Sequence, residues 1–385
     1  MNRKGNSITQ SLFLPPNESH TILLSDLRLK PYEVQRILGV EMEQEINGHA
    51  SLFCRALLDE RIGFSYVRQN TKGANVALMV ANHSAQESVL FQGIVKEIEV
   101  QCVQGEYYLE IQAISYSSLL DVKQKSRSFQ DKKMTYTQLL EQVTAPYSGA
   151  AVMDVVSNGK STNQFLIQHM ETDWDFLKRL ASNFNTGLVC DPRFDTLRYY
   201  FGVPQVQSIE LNCFNYSVKK DFQRFKRLSE NGVGGLTEHD FICFDVESEL
   251  VLNIGDHVQF QGNQLRVASL KRSNRQELFL NQYILMPSGG LSQAECMHNR
   301  ITGCSFNGRV IAVRNDRVKV HLDIDEVQDA ATASFLPYST IYSSPDGSGW
   351  YCMPELGDQV RVYFPDGDDD HAYAISSVHD PVTSK

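Results

Sequence analysis

The chain has 385 residues, 42% of them hydrophobic and 21% charged, a balance ordinary for globular protein and a length that predicts several domains. Its 36 Lys and Arg against 46 Asp and Glu leave a net charge of −10, which argues against a general nucleic-acid or anionic-membrane surface. No apolar run approaches the ~18 residues needed to span a bilayer, and the polar start Met1-Asn-Arg-Lys-Gly-Asn-Ser gives no secretory signal, so cytoplasmic synthesis without stable membrane insertion is expected.

Residues 1–19 read as a flexible N-terminus ending in Pro15-Pro16. Strand patterns then run from 20 to 121. Leu38–Ile46 alternates apolar and acidic positions, Asn47-Gly48 follows, and Ala50–Leu58 resumes the alternation, which predicts a hairpin with a type I′ turn and one wet face. Asn75–Ala81 is a further strand, and Leu90–Val100 and Tyr107–Ser115 pair across Gln104-Gly105. Short antiparallel strands at this spacing predict a closed or nearly closed barrel.

From 122 to 203 the pattern becomes α+β. Lys123–Lys133 reads as a polar linker. Thr135-Tyr-Thr-Gln138 is a capping box for a helix that buries Leu139, Leu140 and Val143. An apolar strand over 165–169 leads into a helix with Phe176, Leu177, Leu180, Ala181 and Phe184 on its buried side. Asp175, Lys178, Arg179 and Ser182 fall on the other side. Thr172 caps this helix, Asp173 and Asp175 suit its positive end, and Trp174 sits in its first turn. Strands Leu188–Cys190 and Leu197–Phe201 follow. Glu171, Asp173 and Asp175 have the residue types of an acid/base pair, but helix capping accounts for them better, and no nucleophile, base and oxyanion hole assemble.

Strands at 241–246, 249–252, 254–260, 264–271 and 277–285 predict a second small barrel over 204–292. Lys219, Lys220, Arg224, Lys226 and Arg227 form a local basic patch that reads as a solvated connector. Residues 300–380 fit a five-strand OB-like barrel, with strands at 308–313, 317–322, 350–354, 357–364 and 372–378, and 381–385 form a tail. The turn Asp366-Gly-Asp-Asp-Asp370-His371 carries oxygen ligands but lacks EF-hand spacing, so solvated charge is expected there and no metal. Eight scattered cysteines without a CxxC pair read as reduced core residues, and no cofactor motif is present.

Four further stretches stand out: Glu45-Ile-Asn-Gly-His-Ala-Ser-Leu-Phe, the set Phe91–Val95, Tyr107–Ala113 and Leu119-Leu-Asp121, the motif Gln168-His-Met-Glu-Thr-Asp-Trp-Asp-Phe-Leu-Lys-Arg-Leu180, and the tail Met353–Asp370. Together they resemble the VgrG-type spike and phage baseplate hub (late control protein D-like) family. The third is similar to the family's Q-Y-x-E-S-D-x-x-F-L-x-R-L, and the fourth to its P-x-x-G-D-x-V-x-V-x-F-x-x-G-D-x-D. The resemblance covers about residues 20–380 and implies a mainly β protein with two hub barrels, an α+β insert and a C-terminal OB-fold. It implies a homotrimeric structural protein, not an enzyme, without cofactors, of a phage tail-like, tailocin or type VI-like contractile injection system. Its implied partners are a hexameric inner tube protein, a separate spike tip or tip-cap protein, baseplate wedge proteins and cargo effectors. Because the chain stops after the OB unit, the piercing tip is expected to be a separate protein.

The residues expected to carry assembly are Trp174, Phe176, Leu177, Leu180 and Phe184 in the helix, and Gly357, Asp358, Val360, Phe364 and Gly367 in the tail motif. The helix is expected to fix the angle between the barrels. Two other readings stay open. One is an OB module gripping a glycan or nucleic acid through Tyr363 and Tyr373. The other is a cell-wall hydrolase, for which the sequence supplies no catalytic set.

Overall fold

The computed structural model describes residues 21–68, 74–81, 87–205, 208–339 and 353–375. The expected N-terminal segment, the tail 381–385, residues 350–352 of the strand expected at 350–354 and the end of that at 372–378 lie outside them, and the described residues 353 and 354 form no strand. The chain is mainly β and divides into two compact units. The first holds Met1–Leu119, Thr144–Val156 and Leu180–Glu295; the second holds Leu120–Val143, Ser157–Arg179 and Cys296–Lys385. The stretch 122–203, read as one insert, is thus shared between them, and the boundary falls inside the helix Asp173–Ser182.

In the first unit both barrels belong to one 13-stranded sheet. Arg36–Glu45 and Ser51–Leu58 form the expected hairpin, and Ser51–Leu58 pairs onward with Glu106–Ser115, which pairs with Glu87–Val103. Alternate residues Val40 and Met42, and Leu52, Cys54 and Ala56, are buried. The second barrel contributes Ile242–Ser248, Asn263–Arg275 and Leu278–Met286. Its core gathers Phe244, Val246, Leu252, Val258, Phe260, Leu265, Val267, Tyr283 and Leu285. The two barrels join directly, because Asn263–Arg275 pairs antiparallel with Arg36–Glu45, Ser269 facing Glu45 and Ser273 facing Glu41. Strand pairing, rather than the 173–182 helix, fixes their relation.

Local chemistry explains where sequence reading went astray. Asn47 has φ 68°, but Gly48 is absent from the left-handed positions, so the turn is not type I′. Asn47 is used otherwise: its backbone N–H donates to the Leu188 carbonyl at 2.8 Å and its side-chain oxygen accepts from the Leu188 N–H at 2.8 Å. The paired turns at Gln104-Gly105 and Gln261-Gly262 do have positive φ at both positions. Two elements went unread in the basic connector: the strand Tyr216–Lys220 and the helix Phe222–Glu230, capped by Asp221, whose carboxylate accepts from the Arg224 N–H at 2.9 Å. Residues 249–252 form no strand.

The second unit is built on a five-stranded sheet of Ser305–Arg314, Arg317–Leu322, Leu336–Pro337, Gln359–Tyr363 and Tyr373–Ile375. Beside it, Lys125–Phe129 pairs with Leu166–Glu171. Residues 125–129 of the stretch read as a polar linker are therefore one strand of a two-stranded antiparallel sheet, hidden in the sequence by the charges of Lys125 and Arg127. The helix Tyr136–Thr144 has its capping box, with the Gln138 N–H donating to Thr135 Oγ1 at 3.2 Å and the Thr135 N–H donating to Gln138 Oε1 at 2.9 Å.

Candidate functional site

The 168–180 motif builds a buried polar network in the second unit. The strand Leu166–Glu171 carries a bulge at Met170, whose φ is 50°. A bulge re-aims the residue that follows it, and here Glu171 turns inward. Arg179, on the following helix, meets it with two hydrogen bonds of 3.1 Å to Glu171 Oε1 and Oε2. The same guanidinium donates to Asp369 Oδ2 at 3.0 Å and to the Ile167 carbonyl at 2.7 Å, and lies over the Phe176 ring. Arg179, Glu171 and Asp369 are 9%, 7% and 5% exposed, so this is a buried ion triad. Burial disfavours the guanidinium charge, but Asp369 and Glu171 outweigh it and raise its pKa. His298, 2% exposed, sits between the two carboxylates with its ring nitrogens 3.4 Å from Glu171 Oε2 and from Asp369 Oδ1.

A second knot lies beside it. Asp173 is fully buried and accepts from Lys125 Nζ at 2.5 Å, Arg127 at 2.9 Å and Gln168 Nε2 at 2.9 Å. Gln168 in turn accepts from Arg127 Nε at 2.8 Å. Thr172 performs the predicted cap, accepting from the Asp175 N–H at 3.1 Å while its hydroxyl donates to Asp121 at 2.6 Å. The carboxylates read as helix-end charges are thus the anchors of a network. Arg179, read as facing away from the core, is buried because four acceptors replace its water.

Trp174, Phe176 and Leu177 are at most 1% exposed, and Phe176 stacks on Phe129 with centroids 5.3 Å apart. In the first unit, Leu180 is buried and Phe184 is half-buried, edge-on to Phe201 at 6.0 Å. The tail-motif residues divide by role. Val360 and Phe364 fill the OB core, where Phe364 meets Phe165 and Phe306 with centroids at 6.0 and 5.5 Å. Gly357, at φ 93°, and Asp358 form the turn entering that strand; the Gly357 N–H donates to the Val310 carbonyl and the Asp358 carbonyl accepts from the Val310 N–H. Gly367 accepts the His298 N–H at 3.0 Å.

The acidic turn is occupied by the protein's own donors. Besides Arg179, the Asp369 carboxylate accepts from the Ile167 N–H at 3.0 Å, and Asp370 accepts from the Phe165 N–H at 3.1 Å and from Lys132 Nζ at 2.5 Å. Asp366 pairs with His371 at 2.8 Å, which lowers the Asp366 pKa and raises that of His371. Among the described residues no group of three or more His, Cys, Asp or Glu is arranged to hold a metal ion. Tyr363 and Tyr373, the candidate OB stacking platform, are half-buried and pack edge-on against each other at 5.5 Å. The sequence offered only the charges themselves, Glu171, Asp173 and Arg179 in one motif and Asp369 in the other. It could not show which charges paired.

Two family models match the chain: the phage tail baseplate hub (GPD) model over residues 67–184, and the type VI secretion system/phage-baseplate injector OB domain model over residues 306–379. Comparison with curated proteins finds no match. Among solved structures, an E. coli type VI secretion system component, described as structurally similar to the T4 tail proteins gp27 and gp5, is 14% identical with a TM-score of 0.64 over 92% of this chain and 99% of its own. A chain of the lidded Francisella PdpA–VgrG complex gives 10% identity and a TM-score of 0.58 over 93% of this chain and 71% of its own. The 43 kDa tail protein of prophage MuSo2 from Shewanella oneidensis gives 11% and 0.52 over 71% and 99%. At these identities the likeness is one of fold.

Proposed function

We propose, from the premise that this chain belongs to the VgrG- and GPD-like family of baseplate hub and spike proteins, that it assembles as a homotrimer and seats a hexameric inner tube. A structural hub or spike-like protein of a phage-tail or type VI-type injection system has to match tube symmetry on one side and a tip on the other. The observation that carries the reading is the direct joining of two barrels into one sheet within a single chain. Two tube-like elements per chain, three chains per ring, present six equivalent positions. The OB unit supplies a platform for a spike tip, and baseplate wedge proteins and cargo effectors are the remaining partners of this reading. The Francisella relative is a chain of a complex with PdpA, which supports the expectation of a bound partner protein.

The role proposed for the chain is scaffolding, not catalysis. Glu171 and Asp173 are engaged by cations at hydrogen-bond distance, an arrangement suited to holding a helix against a sheet. Trp174, Phe176, Leu177, Val360 and Phe364 act as packing residues of the unit that carries the OB-fold. Co-purification of the chain with hexameric tube protein from the same gene neighbourhood tests the reading. Capture of tube in a ratio of one hub trimer per tube hexamer is expected, and failure to bind tube at micromolar concentration counts against it.

A further inference from the structure

The chain enters the first unit at an unusual place. The short strand Ile22–Leu23 pairs antiparallel with the start of Leu278–Met286, Ile22 facing Phe279 and Leu23 facing Leu278. Asn263–Arg275 fills the other edge of Leu278–Met286 along its whole length. From Asn281 onward the edge that Ile22–Leu23 uses is taken by Ile242–Ser248, with Ser248 facing Asn281. The N-terminal strand therefore has two residues of free edge, and its entry point lies at Leu280.

A cleft opens at the same point. Its volume is about 500 Å3, and Glu210, Cys213, Phe214, Glu249, Leu250 and Leu280 are among the residues that line it. Thr21, the first described residue, donates its hydroxyl to Glu249 Oε2 at 3.1 Å, so the chain enters along the cleft wall. Cys213 and Leu250 are half-buried and pack on the core of the second barrel, and Leu280 is half-buried beside them. Phe214 is 98% exposed. A bare phenylalanine next to half-buried aliphatic groups is surface whose burial is favourable.

We infer that this cleft is the docking site of the chain's own N-terminal segment, with Leu12, Phe13 and Leu14 as the anchor. Three observations select that occupant over a separate molecule. The first is place: the segment is tethered at the cleft mouth through Thr21 and Ile22. Eight residues separate Phe13 from Thr21, and at ~3.3 Å each they reach up to ~26 Å, well beyond what the cleft requires. Pro15-Pro16 within that stretch favours extended backbone. A tether this short gives an effective concentration of order millimolar, which a separate partner has to exceed.

The second is pattern. Leu12-Phe13-Leu14 is the only run of three apolar residues within 1–20, and Ser7-Ile-Thr-Gln-Ser11 and Pro15-Pro16-Asn17-Glu18 flank it. A cavity of this volume is of the size that takes side-chain-sized apolar groups. The third is charge. Residues 1–14 carry Arg3 and Lys4 and no Asp or Glu, while the cleft presents Glu210, Glu247 and Glu249. Opposite signs meet along the same path. Docking covers Phe214 and ties the 210–215 loop to the strand Leu278–Met286.

Cys213 lies in the cleft and reports on its occupancy. The full-length wild type and Leu12→Ser/Phe13→Ser/Leu14→Ser are labelled with N-ethylmaleimide, and the rate at each cysteine is read by peptide mass spectrometry. Circular dichroism confirms that both proteins are folded. Cys213 is expected to react at least fivefold faster in the variant, with exposed Cys102 unchanged as the reference, and the protection in wild type is expected to persist on tenfold dilution. Independently, Phe13→Cys is expected to form a disulfide with Cys213 within one chain on mild oxidation. Equal Cys213 rates in the two proteins, with no such disulfide, overturn the docking. A disulfide found only between two chains, or protection lost on dilution, gives the cleft to a second copy and also overturns it. Protection that appears only when tube protein is added assigns the cleft to that partner and overturns it as well.

Discussion

Replacing Arg179 by Met removes the guanidinium that hydrogen-bonds both Glu171 of the 168–180 motif and Asp369 of the tail motif. The change deletes two hydrogen bonds to Glu171, one to Asp369 and one to the Ile167 carbonyl, and it leaves two carboxylates buried at 7% and 5% exposure. Breaking a buried ion pair from one side costs about 3–5 kcal/mol, because the remaining charge has neither water nor partner. The His298 ring nitrogens lie 3.4 Å from each carboxylate and make no hydrogen bond among the described residues, so His298 does not replace the guanidinium's contacts. With a urea slope of about 2 kcal/mol/M, a 4 kcal/mol loss lowers the unfolding midpoint by about 2 M. Removing the carboxylates as well, in Arg179→Met/Glu171→Gln/Asp369→Asn, is expected to recover at least half of that loss, since no uncompensated charge is then left. Urea unfolding followed by Trp174 fluorescence measures both. An Arg179→Met protein within about 1 kcal/mol of wild type would refute the reasoning, because a buried triad cannot lose its only guanidinium so cheaply.

Leu177→Asp places a carboxylate at a fully buried position, and loss of soluble protein or of the folded second unit is expected in expression and limited proteolysis. Lys271→Ala removes two ion pairs with Glu41 and Glu43 whose side chains are about half exposed, so a change of at most ~1 kcal/mol is expected in the same urea assay. The His371 imidazole, titrated by NMR, is expected to have its midpoint above 6.5 and to fall back on Asp366→Asn. Its stabilising contribution is present below the unfolded pKa and is lost as pH rises through the folded value; that of Asp366 is present above about 3.8 and is lost as pH falls through its depressed value. The pair therefore acts mainly between those two limits. Burial pushes the Cys54 thiol up to about 12, so at pH 8 a maleimide is expected to label exposed Cys102 and Cys296 while Cys54 reacts only after unfolding.

Much of the fold was legible because its periodicities are strong. The alternation in 36–58 and 359–364 and the helical spacing of Phe176, Leu177 and Leu180 each reflect one buried side. What could not be read were elements stabilised by contacts remote in sequence. Lys125–Phe129 looks like a linker until Leu166–Glu171 pairs with it and Asp173 neutralises its cations. Tyr216–Lys220 is exposed throughout, so it carries no burial pattern at all. Arg179 and Asp369 violate the rule that charge faces water, and only the fold shows that they satisfy one another. The seam between Ser269–Ser273 and Glu41–Glu45 likewise joins residues more than two hundred positions apart, beyond the reach of any local signal.

The mass of the purified chain in solution tests the central claim most directly. Sedimentation equilibrium across micromolar concentrations is expected to give three times the 43.6 kDa of one chain. A species that stays at the mass of a single chain throughout that range would contradict the proposal of a trimeric hub.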